Sequence, residues 1–338
     1  MPQAAPGEID RAAQLLRAGR LVVFPTETVY GLGANALDAE AVARIYAVKR
    51  RPAASPLIVH VASIAMAKAL VAAWPEAADR LAQRFWPGPL TLVLTKSHVG
   101  ADPFVRPAER SKAALSSSSM TIPATVTAGL PTVALRMPAH PMALALIRAA
   151  RVPVAAPSAN RFTELSPTTA EHVRGSLGSD VDFILDGGPC QIGIESTVVS
   201  LAGPQPVLLR PGGISRTELE QIIGPVAAMP EDVPAGAYPA PGMHPRHYSP
   251  RTLLYLAVNG ELPDRGRRGI YLQHRHPPRR NNVAIRQMPP SAGGYAAALY
   301  QALHQADDGN YDWIAVDLPP DTPEWEAIHD RLTRAAGK

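Results

Sequence analysis

Six short stretches hold the side chains through which this chain is equipped to do chemistry. Phe24-Pro25-Thr26-Glu27-Thr28-Val29-Tyr30-Gly31-Leu32-Gly33 sets hydroxyls and two glycines directly behind a short apolar strand, where α/β proteins bind ligands. Lys49-Arg50-Arg51-Pro52 ends the next helix. Cations there commonly do no more than complement the helix dipole. A phosphate clamp is the other use, with lysine as a point charge and arginine as a bidentate donor. Pro157-Ser158-Ala159-Asn160 follows the apolar strand Val152–Ala155. Asp186-Gly187-Gly188 and Glu195-Ser196-Thr197 flank a further loop, and Arg210-Pro211-Gly212 follows the strand Val207–Leu209. Four strand ends thus supply small polar groups or a cation. Converging on one mouth, they would form a site for a polar, anionic ligand.

Several other chemistries lack their residues. Gly31-Leu32-Gly33-Ala34-Asn35-Ala36 fits a dinucleotide fingerprint only on the surface: Pro25–Tyr30 separates it from its strand, and Ala53–Leu57 offers no acid for a ribose. No Walker A loop, zinc-spaced Cys/His set or nucleophile elbow occurs. Cys190 is the only cysteine; it reads as a structural or incidental thiol, and a single cysteine favours a reducing, cytoplasmic setting.

The elements that must position these loops alternate between helix and strand. Ile9, Ala12, Ala13 and Leu16 share a helical face that Gly19 ends. Leu21–Phe24 is a short strand, and Asp38 caps a helix with Val42, Ile45 and Tyr46 inward. Leu57–Val61 reads as a strand, Ser63–Ala73 as a helix, and Pro75 as the first residue of another. Strands follow at Leu90–Leu94, Thr132–Leu135, Val152–Ala155, Val181–Leu185 and Thr197–Leu201. Thr168 with Glu171, and Ser215 with Glu218, have capping-box spacing. The fold class is α/β (α+β). Lys96–Gly129, with the run Ser116–Ser119, reads as a surface insertion, and Gly224–Pro250 as an extended Pro/Gly/Ala-rich linker. Beyond it, strands at Leu253–Val258, Ile270–Leu272 and Asp312–Asp317 with helices at Gly294–Gln305 and Pro323–Ala335 make a smaller α/β unit. A length of 338 residues suits two domains, and a net charge of +4 permits an anionic ligand without indicating nucleic acid. Apolar runs such as Leu90–Leu94 stop well short of a membrane span, and Met1–Asp10 lacks the pattern of a signal peptide.

The strings FPTETVYGLGANA, KRRP, SPLIVHV, WPGPLT, TVALRMPAHP, APSAN, SPT, DGG, ESTVV and LLRPG stand in the order seen in the YrdC-like threonylcarbamoyl-AMP synthases, and the chain resembles that family from about Arg11 to Gly213. Pro241–Pro250 resembles the linker of the family's long form, which carries an additional Rossmann-like domain. The resemblance implies a YrdC-like catalytic domain over residues 1–213, with a twisted mixed sheet and a concave, positively lined cavity. It implies a linker and lid over 214–250 and a small Rossmann-like C-terminal domain over 251–338. It further implies a nucleotidyltransferase that condenses L-threonine, bicarbonate or carbon dioxide, and ATP into threonylcarbamoyl-AMP and pyrophosphate, for tRNA modification by downstream threonylcarbamoyl-transferase proteins. Mg2+ would ride on the triphosphate.

By the same resemblance, Lys49 and Arg51 match the basic pair that holds the phosphates. Arg51, Ser55, Thr132, Ala156, Ser166 and Arg210 match nucleotide contacts. Thr28, His60, Arg136, Ser158 and Ser196 match positions around the threonine, with Arg136 suited to its carboxylate. Tyr30 and Asn160 support these loops, while His247 and Tyr248 belong to the lid. His60 alone, near the end of an apolar strand, would read as an ordinary buried histidine. The insertion is longer than the family's usual connection, and the second unit is similar chiefly at its AIHDRLTRAA ending. Arg265, Arg267, Arg268, Arg275, Arg279 and Arg280 read as a solvated loop or as a contact for RNA. The rival functions are a non-catalytic RNA-binding module and a carbamoyl-transfer domain of metalloenzyme maturation. The first predicts interleaved aromatics, which make up only 5% of the chain; the second usually brings zinc-finger and acylphosphatase-like domains, which this sequence lacks.

Overall fold

The computed structural model describes residues 5, 7–97, 121–229, 247–264, 268–280 and 282–337. The first half runs α1 (Glu8–Arg17), β1 (Val22–Phe24), β2 (Gly31–Asn35), α2 (Ala39–Lys49), β3 (Ile58–His60), α3 (Ile64–Lys68), α4 (Glu76–Phe85) and β4 (Leu90–Thr95). It continues through α5 (Ala124–Thr127), β5 (Thr132–Arg136), α6 (Pro141–Ala150), β6 (Val154–Ala155), α7 (Ala170–Ser176) and β7 (Phe183–Ile184). Then come β8 (Thr197–Ser200), β9 (Val207–Arg210), α8 (Arg216–Ile223) and β10 (Ala227–Ala228). These strands form one mixed ten-stranded sheet in the order β10-β9-β8-β4-β5-β3-β6-β2-β1-β7. The second half holds β11 (Leu253–Ala257), β12 (Gly269–Gln273), β13 (Ala284–Gln287), α9 (Ala292–Asp308), β14 (Trp313–Asp317) and α10 (Glu326–Ala335). Its sheet is parallel, in the order β11-β14-β12-β13.

Local chemistry sets the element ends. Asp38 caps α2 by accepting from Glu40 and Ala41 N–H, and α2 closes with Arg50 in the left-handed region. The capping box of Ser215 and Glu218 forms on α8 as its spacing predicts. The other expected box does not: the cap of α7 is Thr169, which accepts from His172 N–H, because the helix begins one residue later than Thr168 would require. The helix expected over Ser63–Ala73 stops at Lys68, and Pro75 is the cap of α4 rather than its first residue. Three strands fall outside the expected set, among them the short β10 (Ala227–Ala228), which pairs with β9 inside the stretch read as linker. Gly31–Asn35 pairs with β1 and β6 although two glycines weaken its strand signal, and Ala284–Gln287 adds an edge to the second sheet. Gly33 is needed where it stands, since a Cβ there would lie 2.8 Å from the Phe24 ring and 2.9 Å from Val154.

Loops of the first half share a core with the second sheet and its helices. Val29, Leu165 and Ile194 from the first half cluster with Tyr248, Tyr295, Leu299 and Tyr300 from the second, so the second unit is not loosely tethered. The backbones approach closely at Gly193, in the left-handed region, where a Cβ would fall 2.5 Å from Ala296 O and 2.6 Å from Ala297 Cα of α9. Most of the expected insertion and linker, including residues 98–120 and 230–246, lies outside the described residues, as do Arg265 and Arg267. Arg279 and Arg280 pair with Glu261 and Asp264. Among the described residues no helix is long and apolar enough to cross a membrane.

Candidate active site

The ends of β1, β3, β5 and β9 and the loops before β2 and β8 meet at one cavity. The loop after β1 is folded by Thr26, whose hydroxyl accepts from Thr28 and Val29 N–H at 3.2 Å and donates to Val29 O at 2.6 Å. That turn leaves Thr28 on the cavity wall. Tyr30 ties this loop to Asp186-Gly187-Gly188, donating to Gly188 O at 2.7 Å and accepting from Gly187 N–H at 3.1 Å. Burial raises its phenol well above the ordinary range, so it stays a neutral donor.

Cations dominate the wall. Arg136, at the end of β5, reaches it while one nitrogen is held 2.7 Å from Glu27 Oε1. Glu27 also accepts Ala139 N–H at 3.0 Å. Arg210, at the end of β9, donates to Ser196 O at 2.9 Å and Ser196 Oγ at 3.1 Å, and Thr91 Oγ1 stands 2.8 Å from the same hydroxyl. Ser196 is thereby fixed between a strand and a guanidinium. Arg51 donates to Pro56 O at 3.2 Å and lies over Phe162. Burial lowers its guanidinium to about 10, with Arg210 pushing the same way, which leaves it charged at neutral pH. Burial and Arg136 bring His60 down to about 3, so its imidazole is neutral.

The unmet hydrogen-bonding capacity is what distinguishes the cavity. Arg51 Nε, His60 Nδ1, His247 Nδ1 and Tyr248 Oη are all buried without a partner, and all four residues line this cavity. Buried polar atoms are ordinarily paired, and four lapses in one place mark a site built for a polar ligand. The free volume is about 50 Å³, room for a few waters. A bound nucleotide needs several hundred, within the roughly 300–1,000 Å³ of ordinary ligand pockets. His247 and Tyr248 are buried and form part of the cavity's lining.

Of the residues expected from sequence, Thr28, Tyr30, Arg51, His60 and Arg136 line the cavity, as do Ala156, Ser158, Ser196, Arg210, His247 and Tyr248. Lys49, Ser55, Thr132, Asn160 and Ser166 are not on this wall. The Lys49 ammonium turns instead to the carbonyls of Ser158 and Asn160, and burial followed by Arg51 pushes it well below its usual range. Asn160 Nδ2 braces the same loop through Arg161 O and Glu164 O. Ser166 donates to Glu195 Oε1 at 2.5 Å, and Thr132 opens β5 opposite Thr95. Glu27 and Glu195 stand in the stretches named above, but the sequence assigns neither of them a role. A glutamate inside an otherwise hydroxyl-rich loop, and one directly before Ser196, were their only signals.

Residues 14–212 match the Sua5/YciO/YrdC family model, described as telomere recombination, and residues 214–337 match the model of the threonylcarbamoyl-AMP synthase C-terminal domain. The chain belongs to this family. Among the synthase family's members, it is 42% identical to the threonylcarbamoyl-AMP synthase of Bacillus subtilis (strain 168), over 98% of this chain and 93% of that one. It is 48% identical to that of Pyrococcus abyssi (strain GE5 / Orsay), over 78% of this chain and 71% of the relative. The crystal structure of P. abyssi Sua5 complexed with L-threonine superposes with a TM-score of 0.85 at 37% identity, covering 99% and 96% of the two chains. The family's long form, with both sheets, thus extends across the described fold.

Proposed function

We propose that this chain condenses L-threonine, bicarbonate or carbon dioxide, and ATP into threonylcarbamoyl-AMP and pyrophosphate, the activated intermediate for threonylcarbamoyladenosine in tRNA. Named relatives support the activity, one of them aligned over 98% of the chain and one over 78%. The observation that carries the site is the set of four unpartnered polar atoms among buried guanidinium groups.

The chemistry asks for positioning and charge neutralisation rather than a protein nucleophile. The threonine amine adds to carbon dioxide and loses a proton. An oxygen of the resulting carbamate then attacks the α-phosphorus, and the bond to the bridging oxygen breaks as pyrophosphate leaves with the electron pair. Arg51 and Arg210 face the phosphates in this reading, and Arg136 takes the threonine carboxylate with the nitrogen that Glu27 leaves available. Thr28, Ser158 and Ser196 supply hydroxyls around the threonine, and neutral His60 orients it without adding charge. Lys49 acts through the loop it holds, fixing the carbonyls of Ser158 and Asn160. Ser55, Thr132, Ala156 and Ser166 meet the nucleotide once the cavity has widened. Mg2+ enters with the triphosphate as part of the substrate; among the described residues no group of three or more His, Cys, Asp or Glu side chains is arranged to hold a metal. The present volume admits only waters, and in this reading His247 and Tyr248 act as a lid that withdraws for ATP to enter. The product passes to a downstream threonylcarbamoyl-transferase.

The test is pyrophosphate release from MgATP and bicarbonate, with and without L-threonine. Threonine-dependent release that falls at least 100-fold in Arg51→Ala is expected, on the order of what misplacing one phosphate contact does. Release that ignores threonine in folded protein would overturn the reading.

A further inference from the structure

The cavity wall has a layer behind it that comes from the other half of the chain. Glu195 is buried on the wall. Its Oε2 lies 2.7 Å from Arg331 Nε of α10 and 3.1 Å from the Tyr300 hydroxyl of α9, and Ser166 donates to its Oε1. Arg331 is fully buried. It also donates to Pro211 O at 3.1 Å, pairs with Asp330, and lies 5.1 Å from the centre of the Tyr248 ring. One guanidinium therefore touches the carboxylate beside Ser196, the loop after Arg210 and the tyrosine of the lid.

We propose that Arg331 and Tyr300 are positioning residues for the reaction: the second domain completes the active site by fixing Glu195 and the Tyr248 ring, and the catalytic half alone lacks that wall. The inference rests on the synthase reading and adds to it two residues from outside the catalytic half. Arginine is suited to the position because its planar fork serves three directions at once, which a lysine point charge does not. The groups facing Glu195 are Arg331 from α10, Tyr300 from α9, Arg210 from β9, Ser166, and Tyr248 from the segment before β11. Burial would raise the Glu195 carboxyl; Arg331, Arg210 and Ser166 outweigh it and hold the group below its usual range. An ionised Glu195 keeps part of the cationic wall neutralised and oriented. Protonation would release Arg331 and Tyr248 together.

The experiment measures threonine-dependent pyrophosphate release against pH for wild type, Tyr300→Phe, Arg331→Met and the double variant Arg331→Met/Glu195→Gln. Activity of the wild type secures the synthase reading independently; its absence would fail that reading and this one separately from any variant. Arg331→Met is expected to lower kcat about 100-fold with a smaller change in KM for ATP. It also moves the acid limb of the profile to higher pH, because burial then acts on Glu195 with less opposition. Tyr300→Phe, which keeps the packing, shifts the limb the same way with about a 10-fold loss, the scale of one hydrogen bond to a charged group. In the double variant the shifted limb disappears, since no carboxyl remains to titrate. A Tyr300→Phe protein with wild-type kcat and an unmoved limb would overturn the proposal even if Arg331→Met fails to fold. So would a double variant that retains the shifted limb.

Discussion

Two buried carboxylate–guanidinium pairs flank the cavity, and they are built differently. Glu27 and Arg136 meet at 2.7 Å, as do Glu195 and Arg331. The first pair joins the loop after β1 to the end of β5, and Glu27 is further held by the backbone at Ala139. The second reaches across 136 residues into the small sheet's domain. Its carboxylate is held by three side chains, from Ser166, Tyr300 and Arg331. The same chemistry thus closes one domain on itself at one end of the cavity and joins two domains at the other. A pair held by backbone is hard to retune by substitution. A pair held by side chains is adjustable one group at a time.

The widest gap between the two pairs should come from Arg136→Ala. It strands Glu27 without its cation, so urea unfolding at pH 7 should show a loss of about 3–5 kcal/mol, with threonine-dependent activity gone. Glu195→Gln should lose less, about 2 kcal/mol, because the amide still accepts hydrogen bonds. Its effect also depends on pH. The folded carboxyl lies below the unfolded one, so its stabilisation is full above the unfolded value near 4.5 and is lost as pH falls through the folded value. Denaturant curves for wild type and Glu195→Gln should therefore converge on acidification. Ser166→Ala removes one hydrogen bond and should cost about 1.5 kcal/mol. Its effect should be non-additive with Tyr300→Phe, since both act on one carboxylate. Equal, additive losses would sink the idea of a shared network. Ser215→Ala, at a cap remote from both pairs, should cost only about 1 kcal/mol and leave activity unchanged. His60 adds a separate acid term. Its folded value near 3 lies below the unfolded 6.5, so this contribution is present above pH 6.5 and fades as pH falls toward 3. His60→Gln should flatten that part of the stability profile.

Much of the first pair's end was legible in the sequence, and little of the second's. Thr28, Arg136 and Ser158 stand at strand ends whose apolar runs are plain in the chain, as does Arg210 at the second pair's end, and the order of the motif strings fixed their neighbourhood. β2 escaped because glycine reads as a turn, and its strand state depends on Phe24 and Val154 packing where a side chain would be. The residue Lys49 was legible but its partners were not, because they are backbone carbonyls more than 100 residues away, which no spacing rule reports. Arg331 did leave a trace. It falls on the apolar stripe of Ala327, Ile328, Leu332 and Ala335, and a charge at such a position requires a buried partner. The stripe signals that a partner exists; only the fold identifies it as Glu195.

Gly193 carries one further consequence. With its Cα seated against the backbone of α9, it is a hard stop that sets the spacing between the two halves of the molecule. Any larger residue there would act as a wedge, and with φ at +78° even alanine would strain its own backbone while it pressed on α9.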